Sequence, residues 1–361
     1  MLQIVIIGKI LSENITNIKD AIKKNPEDIE NYKNLANYYI ECNDLDNATL
    51  ACNNILNINP DDVEALINLG SIHFYKKVYN SALECFKKAI TLDSSNGAIY
   101  YNLGNVYAEI ENFENALENY KKAMFLNPEQ PEIYRALGYL YNDIDDYDNA
   151  LKNYNLAVEK GVKDCEIYIN IANIYQKKGD NETALQYYKK AYEQDNSDPK
   201  VLLCLANMYC ALKNYTQAQK MYEKALSYEP NYYSALVCRA IAYSEEGNFD
   251  DAILNYKQAI EINPDKVNAY ILLANMLTDE KRYDEAITLY KTAKILLSSS
   301  AQISVFIANV YAMAQNYTQA VKYYKKAIKE APKNNEIKLI YFELINYYIE
   351  SKRKAKEKHE S

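Results

Sequence analysis

Residues 100–128 read YYNLGNVYAEIENFENALENYKKAMFLNP, and eight of them decide the fold: Tyr100, Leu103, Gly104 and Tyr107, then Ala116, Tyr120, Ala123 and Pro128. The same set, intact or degraded, returns every 34 residues from about residue 29 to residue 334. Stepping outward from Ala116 lands on Ala48, Ala82, Ala150, Ala184, Ala218, Ala252, Ala286 and Ala320, a column without a break. A second column, seven residues on, keeps step through Ala89, Ala123, Ala157, Ala191, Ala225, Ala259, Ala293 and Ala327, and only Ile55 interrupts it. Between the two run Cys52, Phe86, Tyr120, Tyr154, Tyr188, Tyr222, Tyr256, Tyr290 and Tyr324, a packing column that is aromatic in all units but the first. Self-similarity at a fixed period means one supersecondary unit stacked on copies of itself.

At these residues the chain resembles the tetratricopeptide repeat (TPR) family, whose aromatic, Leu-Gly, Tyr, spaced alanines and closing proline share this period. The resemblance implies an all-α fold: a right-handed α-solenoid of antiparallel helix pairs, with units at 29–62, 63–96, 97–130, 131–164, 165–198, 199–232, 233–266, 267–300 and 301–334. Departures are local. Arg239 replaces the first-helix leucine, His73 and Leu277 replace its tyrosine, and Ser94, Val162, Asn196 and Ser298 stand where proline would be.

Each motif residue has a packing reason. Gly70, Gly104 and Gly138, or Ala36, Ala172, Ala206, Ala240, Ala274 and Ala308, are expected where the two helices of a unit cross, because a larger side chain there would overpack by about 1–3 kcal/mol. Pro60, Pro128, Pro230, Pro264 and Pro332 close the second helix, since proline lacks an amide and clashes inside a helix. Asp46, Asp148, Thr216, Asp250, Asp284 and Thr318 are read as caps on the second helix. At junctions 160–163 and 298–300, which lack proline, either the curvature changes or other turn residues serve equally well.

Outside the nine units, residues 1–28 read as a partial repeat, with Ser12 as a cap, Ile15, Ile18, Ala21 and Ile22 at helical spacing, and Pro26 closing. Leu2 to Ile7 is apolar but far short of the roughly 20 residues a membrane span needs, and is expected to pack on the first full unit. Residues 335–361 read as a C-terminal capping helix, apolar at Ile337, Ile340, Tyr341, Leu344, Ile345 and Tyr348, with a basic tail at Lys352, Arg353, Lys354, Lys356 and Lys358.

Composition excludes several function classes. A net charge of −8 argues against nucleic acid as a partner, which demands a basic face. Seven cysteines without a C-x-x-C pair fit neither a disulfide framework nor a zinc site, and point to a reducing cytoplasm. With His73 and His359 the only histidines, neither a Ser-His-Asp triad nor a histidine metal site can be assembled. No glycine-rich phosphate cradle is present, and the paired acids Asp145-Asp146 and Glu245-Glu246 fall in turns, where solvated carboxylates are ordinary. The expectation is no enzyme, no cofactor, no metal and no membrane.

The family resemblance places the residues one, two and five positions after the first-helix aromatic on a concave groove. Those columns hold Asn34, Asn68, Asn102 and Asn170, and then Asn37, Asn105, Asn173, Asn207, Asn275 and Asn309. Amides both donate and accept, so such a ladder can pair with an extended peptide backbone. It resembles the asparagine ladder of the TPR region of O-linked N-acetylglucosamine transferases. In the second half the same columns turn apolar: Ile169, Leu203 and Cys204, Val237 and Cys238, Ile271 and Leu272, Val305 and Phe306. An exposed apolar stripe would suit an amphipathic partner helix, unless the stripe is covered internally. Lys33, Asn37 and Asn68 also match part of the carboxylate clamp of TPR co-chaperones, but Ala98 and Asn102 replace its remaining cations.

The resulting reading is an adaptor or scaffold that holds a protein or peptide partner in the groove. The alternatives are a self-associating structural subunit, hence a homo-oligomer, and a regulatory module of a transferase-type enzyme.

Overall fold

The computed structural model describes residues 15–298 and 300–360, with side chains through residue 350. Leu2 to Ile7 and Ser12 lie outside the described residues, as do the side chains of the basic tail.

The described chain is helical throughout, with no strand. After α1 (residues 15–24) come α2 (Ile29–Glu41) and α3 (Leu45–Ile58), α4 (Val63–Tyr75) and α5 (Tyr79–Leu92), α6 (Gly97–Glu109) and α7 (Phe113–Leu126), and α8 (Pro131–Asp143) and α9 (Tyr147–Glu159). They continue as α10 (Cys165–Lys177) and α11 (Asn181–Gln194), α12 (Pro199–Ala211) and α13 (Tyr215–Tyr228), and α14 (Tyr233–Glu246) and α15 (Phe249–Ile262). Last are α16 (Val267–Asp279) and α17 (Tyr283–Leu296), α18 (Ala301–Met313) and α19 (Tyr317–Glu330), and α20 (Asn335–Glu360). Each 34-residue period thus holds one antiparallel helix pair. The chain divides into two compact units, Met1–Ile167 and Tyr168–Ser361.

The cores are the predicted columns. Ala48, Ala82, Ala116 and Ala150 are fully buried in the first unit, as are Ala184, Ala218, Ala252, Ala286 and Ala320 in the second. The reason for small residues at the crossing is quantitative. A Cβ built on Gly104 or Gly138 would stand 2.5 Å from the ring of Tyr120 or Tyr154, and one on Gly70 would stand 2.7 Å from Phe86. Arg239, in a leucine column, is accommodated because its Nε donates to Oδ1 of buried Asn255 at 2.7 Å, while the Asn255 amide donates to Asp251 O at 2.8 Å.

The capping assignment needs correction. The side chains that cap the second helices stand two residues earlier, at Asp44, Asn112, Asp146, Asp180, Asn214, Asn248 and Asn316. Asp46 instead pairs with Lys76 at 2.6 Å. The cause lies in the turn. The first helix ends with a left-handed residue at Asn43, Lys77, Glu111, Asp145, Gly179, Lys213, Gly247, Lys281 or Gln315. The next amide then returns to the first helix, as in Asp44 N to Tyr39 O at 2.8 Å and Asn112 N to Tyr107 O at 2.9 Å. One residue therefore both completes the first helix's C-terminal closure and caps the second helix, and a short Asp or Asn side chain suits both tasks.

Two of the junctions without proline are closed by side chains. Asp93 accepts from the amide and hydroxyl of Ser95 at 3.0 and 2.7 Å, and Asp195 accepts likewise from Ser197 at 2.8 and 2.7 Å. Other turn residues do serve there. At the junction after α9, Gly161 supplies a φ of +104° in place of proline.

Candidate functional site

In the first unit five members of the three predicted groove columns, Tyr101, Asn105, Arg135, Ala136 and Tyr139, line one concavity. This concavity, of about 850 Å³, opens between α6 and α8. Tyr101 and Asn105 contribute from α6, Arg135, Ala136, Tyr139 and Asp143 from α8, and Glu166 from the start of α10. Tyr101 lies 6.0 Å from Tyr120 between ring centroids, and Tyr139 meets Tyr154 edge-on at 5.6 Å. The cavity is therefore walled by phenol rings and rimmed by charge. The Arg135 guanidinium reaches Asp164 at 3.4 Å.

The predicted asparagines divide into two kinds. Asn34 and Asn37 are exposed, and Asn68 donates to Asn37 at 3.4 Å, so neighbouring rungs of the ladder do touch. Asn102 and Asn170 are half-buried. Asn105, Asn173 and Asn207, however, accept from core tyrosines 15 residues on: Tyr120 at 2.8 Å, Tyr188 at 2.5 Å and Tyr222 at 2.6 Å. Asn275 and Asn309 accept from Tyr290 and Tyr324 in the same way. This second column helps fix the core, because its carbonyl oxygens accept from buried tyrosine hydroxyls. The signal was present in part in the sequence: asparagine stands 15 residues before the second-helix tyrosine in five of the seven periods that carry one, and Tyr139 and Ile241 stand there in the other two.

The fourth period breaks this pairing, as does the seventh, where Ile241 stands in the acceptor column. In the fourth, Tyr139 occupies the acceptor position, and the hydroxyl of Tyr154, a fully buried side chain, has no hydrogen-bond partner among the described residues. Burial pushes the Tyr154 phenol well above its ordinary value, and Tyr139, Asp143 and Glu166 add to the effect.

The apolar stripe is a correction. Val237 is only 5% exposed and Ile169 only 3%, so both belong to the core. Leu203, Ile271, Leu272, Val305 and Phe306 are half-buried rather than exposed, and the Phe306 ring packs 5.6 Å from that of Tyr290. Packing against neighbouring helices covers much of each side chain. A smaller concavity of about 230 Å³ in the second unit is lined by Asn207, Cys210, Tyr222 and Cys238. Lys33, the cation of the partial clamp, is held by Asp62 at 3.1 Å and Glu64 at 2.7 Å, which neutralises it.

Among the described residues no group of histidine, cysteine and acidic side chains is placed to hold a metal ion, and no helix is long and apolar enough to cross a membrane.

A stack of antiparallel helix pairs with glycine or alanine at every crossing defines a helical-repeat solenoid, a class built to present an extended face to other proteins. Family profiles described as TPR repeat match residues 70–110 and 104–145, and profiles described as tetratricopeptide repeat match 175–239, 243–296 and 301–334. The chain belongs to the tetratricopeptide repeat family. Proteins of this family are generally non-catalytic adaptors that bind protein or peptide partners. Comparison with curated proteins gives no match. Among solved structures, the chain is similar to a tetratricopeptide repeat protein from Parabacteroides merdae, at 21% identity and a TM-score of 0.54, over 69% of this chain and 98% of that one. It is also similar to the C-terminal part of a TPR protein from Cytophaga hutchinsonii, at 19% identity and a TM-score of 0.50, over 75% and 97%. A third likeness is to the Cut9-Hcn1 hetero-tetramer of the APC/C, at 15% identity and a TM-score of 0.52, over 74% of this chain and 52% of that one. At these identities the likeness is one of fold.

Proposed function

We propose that the protein is a non-enzymatic adaptor whose first-helix face holds an extended segment of another protein, with nine TPR units at residues 29–334 flanked by a partial repeat at 1–28 and a capping helix and tail at 335–361. The observation that carries this reading is the roughly 850 Å³ concavity between α6 and α8, built from the groove columns and too polar to be a packing defect. Asn34, Asn37, Asn68, Asn102 and Asn105 would pair with a ligand backbone in the first unit, and Asn170, Asn173 and Asn207 would do so in the second. There, half-buried Leu203, Ile271, Leu272, Val305 and Phe306 would add apolar contact at their exposed edges. Val237 supports the face from beneath. Free thiols at all seven cysteines support a reducing, cytoplasmic setting.

The test is a photo-crosslinking scan in cell extract, with benzoylphenylalanine replacing Tyr101, Asn102 or Ala136 on the groove, or exposed Phe125 and Leu254 away from it. The reading predicts that groove positions share one set of adducts, lost when Asn68, Asn102 and Asn105 are changed to alanine. Adducts confined to Phe125 and Leu254, or untouched by the triple change, would contradict it.

Self-association is a second reading, favoured by one observation. Leu339, Phe342, Tyr347 and Ile349 leave an apolar side of α20 exposed. Phe342 occupies the column that is glycine or alanine in the nine preceding periods. Sedimentation across a concentration series tests it, and a concentration-independent monomer would exclude it.

A further inference from the structure

We propose that the concavity between α6 and α8 recognises a cationic side chain, lysine or arginine, on the segment the groove holds; this rests on the groove reading above. The wall chemistry comes first. The rings of Tyr101, Tyr120 and Tyr139 line the cavity, and phenol faces attract cations. Glu109, Asp143 and Glu166 bring carboxylates to the same walls. Arg135 is the one cation among the lining residues, and Asp164 already answers it. Neither Glu109 nor Asp143 has an ion-pair partner among the described residues.

The local field agrees with this inventory. The Asp143 side chain is exposed at the mouth, yet the surrounding walls remove enough water to hold its carboxyl above the usual aspartate value, with no cation contributing to offset them. Burial likewise raises the Tyr139 phenol, and there Glu166 and Asp164 outweigh the opposing pull of Arg135. The carboxylates of Glu109 and Asp143, which no cation among the described residues answers, favour an incoming ammonium or guanidinium.

The second observation is Tyr154. Its hydroxyl is buried, unpartnered among the described residues, and within electrostatic reach of Tyr139, Asp143 and Glu166, all three of which line the cavity. In five other periods the equivalent hydroxyl is spent on an asparagine. Tyr154 itself stands behind the wall, its ring against that of Tyr139, so its oxygen keeps unspent lone pairs next to the cavity, and lysine and arginine carry only donors. The second unit's smaller concavity has Ile241 in the column of Tyr139, so the device is local to the fourth period.

The probe is a fluorescein-labelled dodecapeptide of Gly and Ser carrying four lysines, compared by anisotropy with its acetyl-lysine and glutamate counterparts. The lysine peptide should bind the full-length protein at least tenfold more tightly than the acetyl-lysine peptide. Glu109→Gln with Asp143→Asn should remove most of that difference, and Tyr154→Phe should weaken the lysine peptide several-fold. Glu261→Gln with Asp284→Asn, the same charge change in the second unit, should alter it less than twofold. Equal binding of the lysine and acetyl-lysine peptides, equal weakening by the control pair, or no binding at all would overturn the inference. Ala136→Trp, which fills the cavity, separates the two levels. A neutral peptide that binds wild type but not Ala136→Trp leaves the groove reading standing without the cation site. Binding of every peptide unchanged by Ala136→Trp removes both.

Discussion

Tyr120 and Tyr154 occupy the same column one period apart, both buried, but only Tyr120 has an acceptor, Asn105 at 2.8 Å. Replacing each by phenylalanine deletes one oxygen and nothing else, so the two variants should respond with opposite signs. Tyr120→Phe loses a hydrogen bond worth about 1 kcal/mol net, toward the low end of the cost because half-buried Asn105 can turn to water. Tyr154→Phe removes a hydroxyl whose desolvation nothing in the free protein offsets, and should stabilise the fourth period by about 1 kcal/mol. The gap of about 2 kcal/mol corresponds to roughly a 30-fold difference in local opening. A melting curve would dilute it, because the whole array's unfolding entropy divides the shift in Tm. Native-state hydrogen exchange read by mass spectrometry on peptides from α7 and α9 isolates it, since a solenoid opens period by period. Tyr120→Phe should speed exchange in α7, and Tyr154→Phe should slow it in α9. Faster exchange in α9 on Tyr154→Phe would refute the reasoning, by showing that the hydroxyl is satisfied in solution. If the cation site is real, this stabilising change also weakens ligand binding, the usual trade between stability and function.

Three further outcomes are expected. Gly138→Leu forces atoms into the Tyr154 ring, which a Cβ alone would already approach to 2.5 Å, and should destabilise α8–α9 by about 3 kcal/mol in urea unfolding, whereas Gly161→Ala, with nothing within 4 Å, should pay only for its left-handed φ. Burial pushes the Glu330 carboxyl up, but Lys294 at 2.8 Å, the Ser304 hydroxyl at 2.7 Å and nearby Lys326 outweigh it and hold the group below its ordinary value of 4.5. The stability this contributes is complete above that value and is lost as pH falls through the folded value, so Glu330→Gln should lower the stability of α17–α19 by about 1–3 kcal/mol at pH 7 and flatten its acid limb. Timed alkylation should mark exposed Cys42 first and Cys52 last, because burial pushes the Cys52 thiol up to about 12 and closes it to reagent.

The sequence makes the solenoid legible because its packing is one-dimensional. Every unit solves the same crossing problem, so the small-residue column and the aromatic column announce themselves by repetition. The caps were legible in kind but not in place. A 34-residue period fixes which residues are equivalent without saying which one begins a helix, and the left-handed turn at positions such as Lys77 and Lys213 moves the capping duty to the residue that follows it. For the groove, periodicity identifies columns but not depth. Val237 and Leu203 share a column, yet one is in the core and the other half out. The pairing of Tyr120 with Asn105 joins two columns that sequence reading treated separately, and its failure at Tyr139 and Tyr154 acquires meaning only once the cavity is seen beside them.

The most direct measurement of the central claim uses alanine methyl NMR, since Ala108 and Ala136 line the large concavity while Ala211 and Ala242 line the small one of the second unit. On titration with the lysine dodecapeptide, the Ala108 and Ala136 methyls should shift first and saturate together, with buried Ala116 and Ala123 unmoved. Saturable shifts centred on Ala211 and Ala242, or on neither pair while the peptide demonstrably binds, would place recognition elsewhere and contradict the account.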